Sequence, residues 1–132
     1  MVTHVSARFE LTGWEETPYL EADDGTRLVR ATMGRTFTGG LDGEGAVEYL
    51  MAFRADGEAA YVGLERFDGT VDGRAGTFVL QHVGRFEGGA AAGAVTVVPG
   101  SGSGELEGLA GDGSFAAEGG PAGTVELDVE LG

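Results

Sequence analysis

Near the start of the chain Val5, Ala7, Phe9 and Leu11 alternate with His4, Ser6, Arg8 and Glu10, and near its end Val125, Leu127, Val129 and Leu131 alternate with Thr124, Glu126, Asp128 and Glu130. A period of two belongs to a β-strand with one buried and one solvated face. The same pattern predicts strands near 26–38, 45–54, 59–67, 76–83, 91–98 and 103–109, with a short one around Ser114–Ala117. Over 45–54, Val47, Leu50, Met51 and Arg54 also share one helical face, but Gly45 and the flanking Asp-Gly pairs favour a strand. Asp-Gly recurs at 24–25, 42–43, 56–57, 68–69, 72–73 and 112–113. The dipeptide suits type I′ hairpin turns, whose two central residues need positive φ. About eight antiparallel strands at short spacing predict an all-β sandwich or barrel. Because the first and last strands both alternate, they can pair and close the sheet. A barrel of about eight strands is just wide enough to be filled by side chains or to hold one small ligand.

The length of 132 residues, with 42% hydrophobic positions, is read as one domain over 1–132 that buries a core. The glycine-rich segment from Pro99 to Phe115 carries Leu106 and Leu109, anchors that a flexible linker lacks, and is read as strand and tight turns. No apolar run approaches the roughly 20 residues of a membrane span. The opening MVTHVSARFELTGW has no basic segment followed by an apolar one, so no secretory signal is read and a cytoplasmic setting is expected. The missing residue types narrow the chemistry further. Without Cys there is no disulfide, thiolate nucleophile or sulfur-ligated metal. All eight basic residues are Arg, so no side-chain Schiff base forms and lysine-bound pyridoxal phosphate is excluded. A formal charge of -14 repels phosphate backbones, and neither nucleic acid nor an anionic membrane is expected as a partner. Two distant histidines without a ligand spacing predict no metal site, and Asp68 and Asp72 flank a turn without an EF-hand pattern. PGSGSGELEG lacks the Lys of a phosphate loop, and Ser101 and Ser103 have no His partner in the sequence. No cofactor is expected.

Candidate chemistry concentrates in TFVLQHV, residues 77–83, where Gln81 and His82 are adjacent and must face opposite sides. If Phe78 and Leu80 point inward, so does His82, either as an acid or base or as a core histidine held by a backbone carbonyl; with the other parity Gln81 is the inner residue. In YVGLERF, an outward Arg66 puts Tyr61, Gly63, Glu65 and Phe67 inside. Glu65 is then either the acid–base partner of His82 across adjacent strands, or a structural carboxylate bonded to an Arg such as Arg35 or Arg74. Trp14, Phe37, Tyr49, Met51, Tyr61, Phe78 and Gln81 are the candidates to line a ligand cavity, since such pockets combine apolar walls with a few placed polar groups. Trp14 breaks the first alternation just after Gly13, where the strand is expected to leave the barrel at its mouth, and EETPYLEADD (15–24) is read as a solvated loop. Leu28, Leu50, Val62 and Leu64 fall on outward faces, which suggests a homo-oligomer, dimer or trimer.

The blocks FTGGLDGEGAVEYLMAF, AAYVGLERFDGTVDGRAGTFVLQHVGRFEGG and VTVVPGSGSGELEGLAG, with FELTGWEETPY and VELDVEL at the two ends, resemble in order and spacing a family of small bacterial proteins known only as a domain of unknown function. That family is assigned an allene-oxide-cyclase-like barrel, and the resemblance covers nearly the whole chain. It implies a single closed, calycin-like, eight-stranded antiparallel barrel and supplies no activity of its own. Barrels of this kind include cyclases and isomerases of unsaturated, largely apolar substrates. The expectation is a barrel that holds one small, mostly apolar or aromatic molecule, with Glu65 and His82 moving protons if it is a cofactor-free isomerase or cyclase. The alternatives are a carrier or sensor without chemistry, and a solid-core interaction protein that assembles through its outer faces.

Overall fold

A computed structural model describes residues 2–118 and 120–131. The strands are β1 (Val2–Glu21), β2 (Arg27–Gly39), β3 (Leu41–Phe53), β4 (Ala59–Val71), β5 (Arg74–Glu87), β6 (Ala90–Val97), β7 (Ala110–Glu118) and β8 (Ala122–Glu130). Each runs antiparallel to the next, and β8 returns to β1 to close an eight-stranded barrel. Period-2 alternation decides which side chains go inside: Val5, Ala7 and Phe9 of β1 and Val125, Leu127 and Val129 of β8 are buried while their neighbours are exposed. The segment 45–54 is strand, with Val47, Tyr49 and Met51 inward and Leu50 outward.

Three of the Asp-Gly pairs, at 24–25, 56–57 and 72–73, turn the chain. Asp72 and Gly73 have φ of 50 and 83, the two positive values required by the β4–β5 hairpin. The pairs at 42–43, 68–69 and 112–113 lie inside strands instead. Gly43 faces Gly69 across β3 and β4, and a Cβ on Gly43 would stand 2.7 Å from the Gly69 Cα. There glycine serves the close approach of two backbones rather than a turn.

Two expected elements differ. Residues 103–109 do not form a strand: Gly104–Leu106 is a 3-10 turn, and the seventh strand is Ala110–Glu118, of which the short segment expected at 114–117 is a part. Here two backbone bonds, from Val98 N–H to the Val79 carbonyl and from Ser103 N–H to the Thr77 carbonyl, both 2.9 Å, are supplemented by side chains. Val79 N–H donates to Ser101 Oγ at 3.0 Å, Ser101 Oγ donates to the Val98 carbonyl at 2.7 Å, and Thr77 N–H donates to Ser103 Oγ at 3.2 Å. The loop thereby pins itself to β5 and tucks Leu106 and Leu109 into the core at the end where β5 starts. The second difference is EETPYLE, which is not a loop. β1 continues to Glu21, paired only with β2, through irregularities between Leu11 and Gly13 and between Pro18 and Leu20. Pairing with β8 ends at Glu10, so 12–21 is an edge strand exposed on both faces, where Pro18 and bulges are tolerated.

Candidate functional site

The register of β3, β4 and β5 sets the site. Gly63 pairs with Tyr49 on one side and with His82 on the other. Having no side chain, Gly63 leaves inner space that the Tyr49 ring occupies; a Cβ there would collide with that ring. The Tyr49 hydroxyl is thus brought to 3.4 Å from His82 Nδ1, with the rings edge to face at 5.4 Å. His82 Nε2 lies 2.9 Å from Glu65 Oε1. Glu65 leans into room left by Gly45, where a Cβ would collide with its carboxylate. From β2, Arg35 places one guanidinium nitrogen 3.5 Å from Glu65 Oε1 and donates with another to the Tyr49 hydroxyl. The guanidinium also lies 4.7 Å from the ring centres of both Phe9 and Phe115, where the aromatic faces favour a cation.

One arrangement satisfies these hydrogen bonds together. Tyr49 accepts from Arg35, so its own proton is directed to His82 Nδ1. In that arrangement the Nε2–H of His82 donates to Glu65. Arg35, Glu65 and His82 are 1%, 0% and 1% exposed and are the buried charged or polar residues among those described. Burial pushes the Tyr49 hydroxyl well above its ordinary pKa, with the Arg35 charge pulling partly back, and burial raises Tyr61 as well.

Above this cluster, at the barrel end opposite Leu106, lies a cavity of about 120 Å3. Its wall is apolar, formed by residues including Phe9, Met33, Met51, Phe86 and Phe115, with half-exposed Trp14 among its lining residues; Arg35, Tyr49 and Tyr61 supply its polar groups. Neither Glu65 nor His82 lines it. Three buried polar atoms have no partner among the described residues: Arg35 Nε, the Tyr61 hydroxyl oxygen and Glu65 Oε2.

Glu65 and His82 therefore meet as a hydrogen-bonded couple inside the barrel, and Glu65 also contacts Arg35. Trp14, Tyr49, Met51 and Tyr61 lie on the cavity. Phe37 and Phe78 sit in packed core, each against Phe67 at 5.6 and 5.2 Å, away from the cavity. Gln81 is on the outer surface opposite Leu64, because His82 holds the inward parity. Sequence reasoning treated Arg35 only as a partner for Glu65 and missed Met33, Phe86 and Phe115. The signal for Arg35 was present: it occupies the inward register of Val29, Ala31, Met33 and Phe37, an Arg in an apolar row.

On the outside, Leu50, Val62, Leu64 and Val83 are each about half exposed, and Val62 pairs with both Leu50 and Val83. They form an apolar patch across β3, β4 and β5. The Arg30–Glu48 ion pair lies beside it on β2 and β3.

A family model described as "Protein of unknown function (DUF3224)" matches residues 5–129. A crystal structure of a DUF3224-family protein with unknown function from Shewanella oneidensis MR-1 is similar with a TM-score of 0.80 and 34% sequence identity, over 100% of this chain and 99% of that one. No curated protein matches the chain.

Proposed function

The chain belongs to the DUF3224 family, and from the geometry of its site we propose that it binds one small, mostly apolar or aromatic molecule in the open mouth of the barrel. The observation that carries this is the cavity of about 120 Å3, apolar in its wall and polar at only three side chains. That volume is somewhat below the roughly 150 Å3 of an apolar cavity that holds benzene, so the part of the ligand it encloses is about one ring. Carriage or sensing is favoured over catalysis, since Glu65 and His82 do not line the cavity. The cyclase or isomerase chemistry implied by the resemblance needs a proton path; Arg35 and Tyr49 both line the cavity and bond to the couple, and the one of them with a hydroxyl proton is Tyr49, bonded to His82. Its raised pKa makes it a reluctant proton donor. Titration with ring-sized molecules, isopropylbenzene and acetophenone in turn, followed by the fluorescence of Trp14, the single tryptophan, tests the proposal. A saturable change with either that disappears in Ala117→Phe, which fills the cavity, supports it; no change with either, or one insensitive to that substitution, refutes it.

A second reading, association of two copies through the outer face, is favoured by the apolar patch of Leu50, Val62, Leu64 and Val83. Most faces of a chain charged at -14 repel each other. The β8 exterior with Glu126, Asp128 and Glu130 is acidic, whereas this patch is flanked by charges of both signs, Arg30 and Glu48. A second copy can seat there without like-charge contact. The mass of the native particle, compared with that of Leu64→Glu, decides it: a dimer that the substitution dissociates supports this reading, and a monomer at all concentrations removes it.

A further inference from the structure

Two residues that line the mouth cavity carry buried hydrogen-bond donors that no described residue answers. Arg35 Nε and the Tyr61 hydroxyl are buried without a partner, although Arg35 is 1% and Tyr61 5% exposed, and both residues line the cavity. A buried donor without an acceptor is costly, and native interiors rarely keep one without a ligand, an ion or a water to satisfy it. The other Arg35 nitrogens are engaged, one with Glu65 and one with Tyr49 and Met33, while the Phe9 and Phe115 rings hold the guanidinium in place. Arg35 is thus fixed with its Nε–H unanswered among the described residues, next to a wall suited to a ring.

We propose that the ligand is a neutral carbonyl compound on a ring-sized apolar frame, such as an aryl ketone or a cyclic enone, whose oxygen accepts hydrogen bonds from Arg35 Nε and the Tyr61 hydroxyl. This rests on the mouth-cavity reading given above. Charge selects the neutral carbonyl over a carboxylate. Glu65, 0% exposed, already answers the Arg35 charge, so a ligand carboxylate would bring a second buried negative charge beside it with no cation left to pair. A purely hydrocarbon ligand would leave both donors unsatisfied. Sites built to hydrogen-bond a ligand discriminate strongly against analogues that lack the polar group, for that reason.

Three compounds of similar size distinguish the classes in calorimetric titrations of the intact protein: acetophenone, isopropylbenzene and benzoate. The proposal expects acetophenone to bind about tenfold or more tighter than isopropylbenzene, and benzoate to bind weakest. Tyr61→Phe should reduce the advantage of acetophenone while leaving isopropylbenzene binding nearly unchanged, a pattern that loss of folding would not produce. Equal binding of acetophenone and isopropylbenzene overturns the carbonyl assignment but leaves the mouth cavity as the binding site. Tightest binding of benzoate overturns it in favour of a carboxylate. Binding of none of the three overturns the mouth-cavity reading itself.

Discussion

Arg35 and Glu65 show how differently a buried charge pair responds to losing one member and to losing both. Glu65→Gln keeps an acceptor for His82 but leaves the Arg35 charge, 1% exposed, without a counter-charge. Breaking a buried pair in this way costs about 3–5 kcal/mol, whereas replacing the pair with apolar groups of similar volume is often close to neutral. Glu65→Gln is therefore expected to lower unfolding free energy by about 3–5 kcal/mol in denaturant titrations, and adding Arg35→Met should restore most of it. A double variant as unstable as the sum of the singles would show that the two charges are not coupled. His4 provides a contrast at the surface. It bridges Asp128 and Glu126 across the β1–β8 seam at 2.9 and 3.1 Å, and its pKa is raised above 6.5, chiefly by the hydrogen bond to Asp128. A value raised in the folded state gives stability that is fully present below the unfolded pKa and lost as pH rises through the folded one. His4→Gln should accordingly destabilise the protein at about pH 5.5 and have no effect at about pH 9. The same penalty at both pH values would mean that the seam contact does not depend on charge.

Among the elements, the glycines separate conformational from steric requirements. Gly73 has φ of 83 with open space where a Cβ would go, so Gly73→Ala costs only the left-handed backbone, about 1–2 kcal/mol. Gly63 lies in mid-strand, and its Cβ would meet the Tyr49 ring and the Glu48 carbonyl. Gly63→Ala should cost a similar 1–3 kcal/mol by overpacking, yet it alone should weaken ligand binding, because it displaces a cavity wall. Equal affinity in the two variants, read by Trp14 fluorescence, would separate Tyr49 from the site. These positions also mark how far the sequence could be read. Alternation was sufficient for the barrel, and an outward Arg66 put Glu65 inside, but it left open whether Gln81 or His82 faces inward; the register of β5 on β4 puts His82 there. Alternation could not reveal that Asp42-Gly43 and Asp68-Gly69 lie within strands, since a glycine that admits a facing backbone looks the same in sequence as one that turns the chain. Nor could it show that Ser101 and Ser103 bond to β5 and divert 103–109 from the sheet, or that EETPYLE continues as an edge strand. Each of these depends on a partner distant in the chain.

For the molecule as a whole, the two barrel ends are unlike. One is packed with Leu106 and Leu109, and the other opens on a cavity flanked by the β1 edge strand that carries Trp14. Between them, the four-residue cluster of Arg35, Tyr49, Glu65 and His82 forms a polar layer in the core, with the Tyr61 hydroxyl a further buried polar group. That division separates the couple Glu65–His82 from the mouth, and the proposed binding site rests on it. Met33 and Met51 both line the cavity, so their methyl groups report on its contents directly. The most direct test is a methyl NMR titration of methionine-labelled protein with acetophenone. The Met33 and Met51 resonances should shift together and saturate at one ligand per chain; resonances that stay in place at saturating ligand, or drift without saturating, would contradict a mouth that holds one small molecule.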